Sequence, residues 1–62
     1  MMKFYQYIQS GNDRWGQRWT LWHVGNYQYE IDCRSVKKKI ALNDTVFEDA
    51  IARFVSVLEN GR

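Results

Sequence analysis

Residues 17–34 read QRWTLWHVGNYQYEIDCR, two runs of β-favouring residues on either side of Gly25-Asn26. A Gly-Asn pair between such runs predicts a two-residue hairpin, because both residues accept the positive φ of a tight turn. The paired strands then span about residues 18–24 and 27–34. With Gly25 and Asn26 at the turn, Val24 stands opposite Tyr27, His23 opposite Gln28, Trp22 opposite Tyr29, Leu21 opposite Glu30, Thr20 opposite Ile31 and Trp19 opposite Asp32. Alternation sorts these residues into two faces. One holds Trp22, Val24, Tyr27, Tyr29 and Ile31 and is the expected core face. The other holds Trp19, Leu21 and His23 beside Gln28, Glu30 and Asp32.

Outward from this hairpin, KFYQYIQ at residues 3–9 predicts a first strand, ended by the turn formers Ser10-Gly11-Asn12-Asp13 and a loop to Gly16 or Gln17. On the other side, VKKKIAL at residues 36–42 reads either as a short edge strand guarded by its lysines or as a loop. Thr45-Val46-Phe47-Glu48 matches a capping box, with Asp44 as the alternative cap one residue earlier. Phe47, Ala50, Ile51, Phe54, Val55 and Leu58 recur at helical spacing, and Gly61 is placed to stop the helix. Glu48, Asp49, Arg53, Ser56 and Glu59 fall on the solvated side. Strands first and helix last predict an α+β fold: an antiparallel meander of three or four strands with one C-terminal helix packed on one face. Without proline, repeat or linker, residues 1–62 form a single small domain.

A chain of 62 residues buries only roughly 60% of the surface its unfolded form exposes. A lone core of that size supplies roughly 3–5 kcal/mol. Cys33 is the only cysteine and His23 the only histidine, which excludes an intramolecular disulfide and a zinc site built from the usual ligands. Self-association is therefore the expected staple. Nine Lys and Arg against seven Asp and Glu give a net charge of +2, which permits nucleic acid or an acidic protein as partner and demands neither. No apolar run approaches the roughly 20 residues of a membrane span, and MMKFYQYIQSG lacks the apolar core of a signal peptide. The expected setting is cytoplasmic, where an unpaired cysteine stays reduced.

One helix covers one face of so small a sheet, which leaves Trp19, Leu21 and His23 on the uncovered side. The first strand adds to that side either Tyr5 and Tyr7, making an aromatic plate, or Phe4 and Ile8, making an apolar patch. Contiguous surfaces of this kind mark an interface. The expected contact residues for a protein partner or a second copy (a homodimer) are thus Trp19, Leu21 and His23, with Trp15, Arg14 and Arg18 from the adjoining loop. Rims of both charge signs suit a protein, and the size is that of small regulators and inhibitors of phages and mobile elements. The alternative is a nucleic-acid-binding module, in which Arg34, Lys37, Lys38 and Lys39 neutralise phosphates while Tyr5 and Tyr7 stack on bases.

Catalysis is not expected. His23 has no partner in the inferred pairing and reads as a rim residue, and no glycine-rich phosphate loop follows a strand. Glu30 and Asp32 lie two residues apart on an open sheet without a pocket, and Cys33 packs as a small hydrophobe. No cofactor, metal or small-molecule substrate is called for. The order of three strands and a helix resembles DNA-binding domains of the AP2 and integrase-arm kinds, which implies a sheet laid into a groove. The tail DTVFEDAIARFVSVLENG, residues 44–61, resembles the strand-to-helix passage of HicB-type antitoxins. Neither resemblance includes a functional motif, and no site residue is taken from either family.

Overall fold

Three tight connections fold the first two-thirds of the chain, and each places one residue in the left-handed region: Gly16 (φ 82°), Tyr27 (φ 56°) and Lys37 (φ 54°). A computed structural model of the chain describes residues 4–60. It contains four strands, β1 (Gln6–Asn12), β2 (Arg18–Gly25), β3 (Gln28–Cys33) and β4 (Lys38–Leu42), followed by helix α1 (Phe47–Asn60). The strands form one antiparallel sheet in the order β1-β2-β3-β4. This is the expected α+β meander, and the segment left open between strand and loop is its fourth strand.

The β1–β2 connection is later and tighter than the sequence suggests. Ser10, Gly11 and Asn12 belong to β1, and the turn is residues 13–17. Asp13 organises it: one carboxylate oxygen accepts the amide N–H groups of Trp15 and Gln17, each at 2.9 Å. Its backbone carbonyl accepts from Gly16 at 3.0 Å, and its own N–H donates to Gln17 at 2.8 Å. Asp at the first position and Gly in the left-handed last loop position are what this three-residue connection needs.

In the second hairpin the loop is Asn26-Tyr27, one residue beyond the Gly-Asn pair. Gly25 pairs with Gln28, the register breaks between His23 and Gly25, and His23 then faces Tyr29, Trp22 faces Glu30, Leu21 faces Ile31 and Thr20 faces Asp32. The shift of one residue turns β2 over relative to the expected arrangement, while Tyr29 and Ile31 keep their core side and Tyr27, expected beside them, stands exposed in the turn. Burial supplies the reason. Trp19 and Leu21 are two apart, but Val24 is three beyond Leu21, so a regular strand buries either the pair or Val24. The bulge re-phases the chain and all three are buried, at 1%, 0% and 5% exposure. Each such side chain contributes on the order of 1.5–3 kcal/mol, more than the roughly 1–2 kcal/mol of a non-glycine residue held at positive φ.

The core lies between the sheet and α1. Trp19, Leu21, Tyr29, Ile31, Cys33 and Leu42 from the strands meet Ala50, Phe54 and Val57 from the helix. Cys33 is buried there as the small hydrophobe expected of it. The helical stripe is rotated from its expected centre: Val57 is buried, whereas Phe47 and Val55 are exposed. Leu58 lies close over β1, since a Cβ on Gly11 would come within 3.0 Å of its Cδ1. The capping box does not form. The Thr45 hydroxyl donates to the Asn43 carbonyl at 2.9 Å, its N–H donates to Tyr27, and the first helical bond runs from Ala50 to Val46. Gly61, expected to stop the helix, lies outside the described residues.

Candidate binding face

Among the described residues, no element covers the side of the sheet away from α1. Cross-strand neighbours share a face, so the pairs Tyr7 with Trp22 and Ser10 with Thr20 on β1 and β2, Trp22 with Glu30 and Thr20 with Asp32 on β2 and β3, and Asp32 with Lys39 on β3 and β4 all lie on it. Trp22 is the aromatic centre. Tyr5 and Tyr7 approach it edge-on, with ring centroids 5.9 and 6.0 Å away and interplanar angles of 81° and 80°, the favoured geometry for aromatic pairs. Both tyrosines are exposed, Tyr7 by 58%.

The polar groups around this plate hold one another in place. The Tyr5 hydroxyl donates to the Glu30 carboxylate, 3.1 Å from each oxygen. Glu30 is buried under it. Ser10 Oγ lies 2.9 Å from the Tyr7 hydroxyl and accepts from Arg18 Nη2 at 2.7 Å, so the Arg18 guanidinium is drawn over the face. A groove of about 760 Å³ runs from Tyr7 and Trp22 past Thr20 and Arg18 to Asp32, Arg34 and Val36. Beyond it a second depression, of about 590 Å³, is lined by Asp32, Arg34, Lys37 and Lys39. The face therefore has an aromatic end and a cationic end.

This arrangement changes the membership of the contact set. Trp19 and Leu21, expected on the open face, are core residues under α1, because the β2 register is shifted by one. His23 is half-buried on the same core side and stacks on Tyr29, with centroids 4.8 Å apart and 25° between planes, so it is not a rim residue. Trp22, assigned to the core, takes Trp19's place outside. Of the two settings left open for the first strand, the one exposing Tyr5 and Tyr7 on this face is present, with Ile8 packed against the core. Phe4 is exposed as well. The expected basic run does not line one track: Lys39 lies opposite Asp32 on the open side, Lys38 opposite Cys33 on the core side, and Lys37 is in the turn.

Arg14 and Trp15 remain exposed, as expected, at the tip of the β1–β2 turn, with the guanidinium carbon 5.7 Å from the indole centroid. The turn is braced from below by Asp13, expected only as a turn former. Trp19 Nε1 donates to the second Asp13 carboxylate oxygen at 2.9 Å in the buried interior. Burial by itself raises the Asp13 pKa. The Trp19 indole N–H together with the Gln17, Trp15 and Gly16 amides outweighs that and holds it below the ordinary value. The spacing Asp13-x-x-Gly16 was the available signal.

Fold and face together define a small open-sheet α+β domain with an aromatic and cationic surface. Compared with protein-family models, curated proteins and solved structures, the chain matches none. No helix among the described residues is long and apolar enough to cross a membrane.

Proposed function

We propose that the chain is a non-enzymatic binding module that engages a protein partner through its open sheet face, acting as a small regulator or inhibitor inside the cell. The observation that carries this reading is the gathering of Tyr5, Tyr7 and Trp22 on the side that α1 leaves uncovered, with Arg18 and Arg34 along the same groove. Trp, Tyr and Arg are the residues that concentrate binding energy at protein interfaces. The groups with acid-base chemistry are dispersed: His23 stacks on the core side, whereas Glu30 and Asp32 stand across the sheet from it. A second reading, binding of single-stranded nucleic acid, draws support from the cationic end formed by Arg34, Lys37 and Lys39, next to rings on which bases stack.

The two readings separate experimentally. A partner captured by the wild-type chain and lost with Trp22→Ala and Tyr7→Ala, both folded by circular dichroism, supports the protein reading. Capture that is indifferent to both variants removes the open face from it. Binding of a short single-stranded oligonucleotide that weakens steeply with salt, with the slope flattened by Arg34→Ala and Lys39→Ala, favours nucleic acid.

A further inference from the structure

The sheet has two edges, and they differ in how they are guarded. Edge strands present unpaired N–H and C=O groups, and charged side chains, lysine above all, discourage pairing with another chain. β4 carries Lys38 and Lys39, with Lys37 just before it. β1, with the sequence QYIQSGN, has no charged residue and no proline. Its one irregularity is the register break between Tyr7 and Gln9, after which Gln9 to Asn12 pair regularly with β2. Among the described residues no strand covers its outer side.

The helix flank above β1 is apolar and exposed. On α1 the side bearing Asp49, Arg53 and Ser56 turns toward Leu42 of β4. The opposite side, with Phe47, Ile51, Val55 and Leu58, therefore lies over the β1 edge, as the approach of Leu58 to Gly11 requires. Phe47 and Val55 are 53% and 43% exposed there. A backbone edge free of charge and an apolar helical flank thus coincide on one border of the molecule.

We infer that this border is the contact surface for a second copy of the chain, with β1 pairing antiparallel to β1 of its partner. A two-fold axis normal to the sheet relates such strands, so both helices fall on the same side and their Phe47 and Val55 flanks meet across the axis. The lysines of β4 repel their own copies, whereas β1 against β1 brings no like charges together, so the charge pattern selects this edge. Seven residues at about 3.4 Å each make an edge of about 24 Å, a small interface that dissociates at micromolar concentrations or above. This border is separate from the open face, whose binding role stands or falls independently.

Sedimentation equilibrium over a wide dilution series tests the inference. The mass should rise from the 7.5 kDa of one chain toward twice that value with concentration. Val55→Glu and Gln9→Lys, both at exposed positions, should each move the midpoint at least tenfold higher, and Trp22→Ala should leave it in place. Circular dichroism identifies a variant that fails to fold, and Gln9→Lys then decides alone. A chain that stays monomeric to near-millimolar concentration overturns the inference. So does a dimer that the two edge variants leave unchanged.

Discussion

Asp13 links a turn to the core through a single side chain, because its two carboxylate oxygens serve the loop amides and the buried Trp19 indole at once. Its folded pKa is lowered, so between the folded and unfolded values the unfolded chain binds more protons and stability rises with pH. The contribution is complete above the ordinary carboxylate value of about 3.9 and is lost as pH falls through the lower folded value. Acid unfolding of Asp13→Asn, followed by tryptophan fluorescence, should lack this part of the wild-type pH dependence, and the variant should be less stable at neutral pH. Tyr27 makes the opposite case. It is exposed and held at φ 56°, a strain of about 1–2 kcal/mol for an L-residue. Glycine relieves this at an entropic cost of about 0.5–1 kcal/mol. Tyr27→Gly should therefore stabilise the fold by about 0.5–1 kcal/mol in chemical denaturation.

At the scale of elements, the phase of β2 against β3 assigns the tryptophans. Trp19 is fully buried with its N–H bonded, and Trp19→Ala should cost about 3–5 kcal/mol, as much as a core of this size supplies. That variant should be largely unfolded. Trp22 loses two edge-to-face partners when truncated, about 1–3 kcal/mol in total. Trp22→Ala should stay folded and lose partner binding. The reverse order of stabilities in thermal melts would restore the regular hairpin about Gly25-Asn26. The bulge also explains why a strong local hairpin signal misled by one residue: Gly25-Asn26 marks the region of the turn, and the burial of Trp19, Leu21 and Val24 together selects the phase within it.

For the whole molecule, a four-stranded sheet with one helix has one covered face, one open face and two edges, and each surface is treated differently by the sequence. The covered face takes the core side chains, the open face takes Tyr5, Tyr7 and Trp22 with Arg18 and Arg34, and the β4 edge takes Lys38 and Lys39 with Lys37 just before it. Replacing Lys37, Lys38 and Lys39 together by Gln removes the guard on β4 and leaves two edges open to pairing. Static light scattering on the triple variant should then show species larger than any formed by the wild type at the same concentration. A chain this short has little stability in reserve, so such surface features decide its behaviour in solution as much as its core does.

The sequence alone determined the α+β class, the order of the first three strands and the helix, the place of the second hairpin to within a residue, and the faces of residues 29–32, with Tyr29 and Ile31 inward and Glu30 and Asp32 outward. These follow from propensity and alternation, which act over a few residues and are written locally. It also showed that aromatics exceed what one face needs. Which aromatics are in surplus was decided by the tertiary structure. Both registers of β2 satisfy the same local preferences, and a slip of one residue exchanges Trp19 for Trp22. Only the helix, the Asp13 carboxylate that accepts the Trp19 indole N–H and the bulge that admits Val24 distinguish them, and each acts through burial and side-chain contact, which alternation along a single strand does not register.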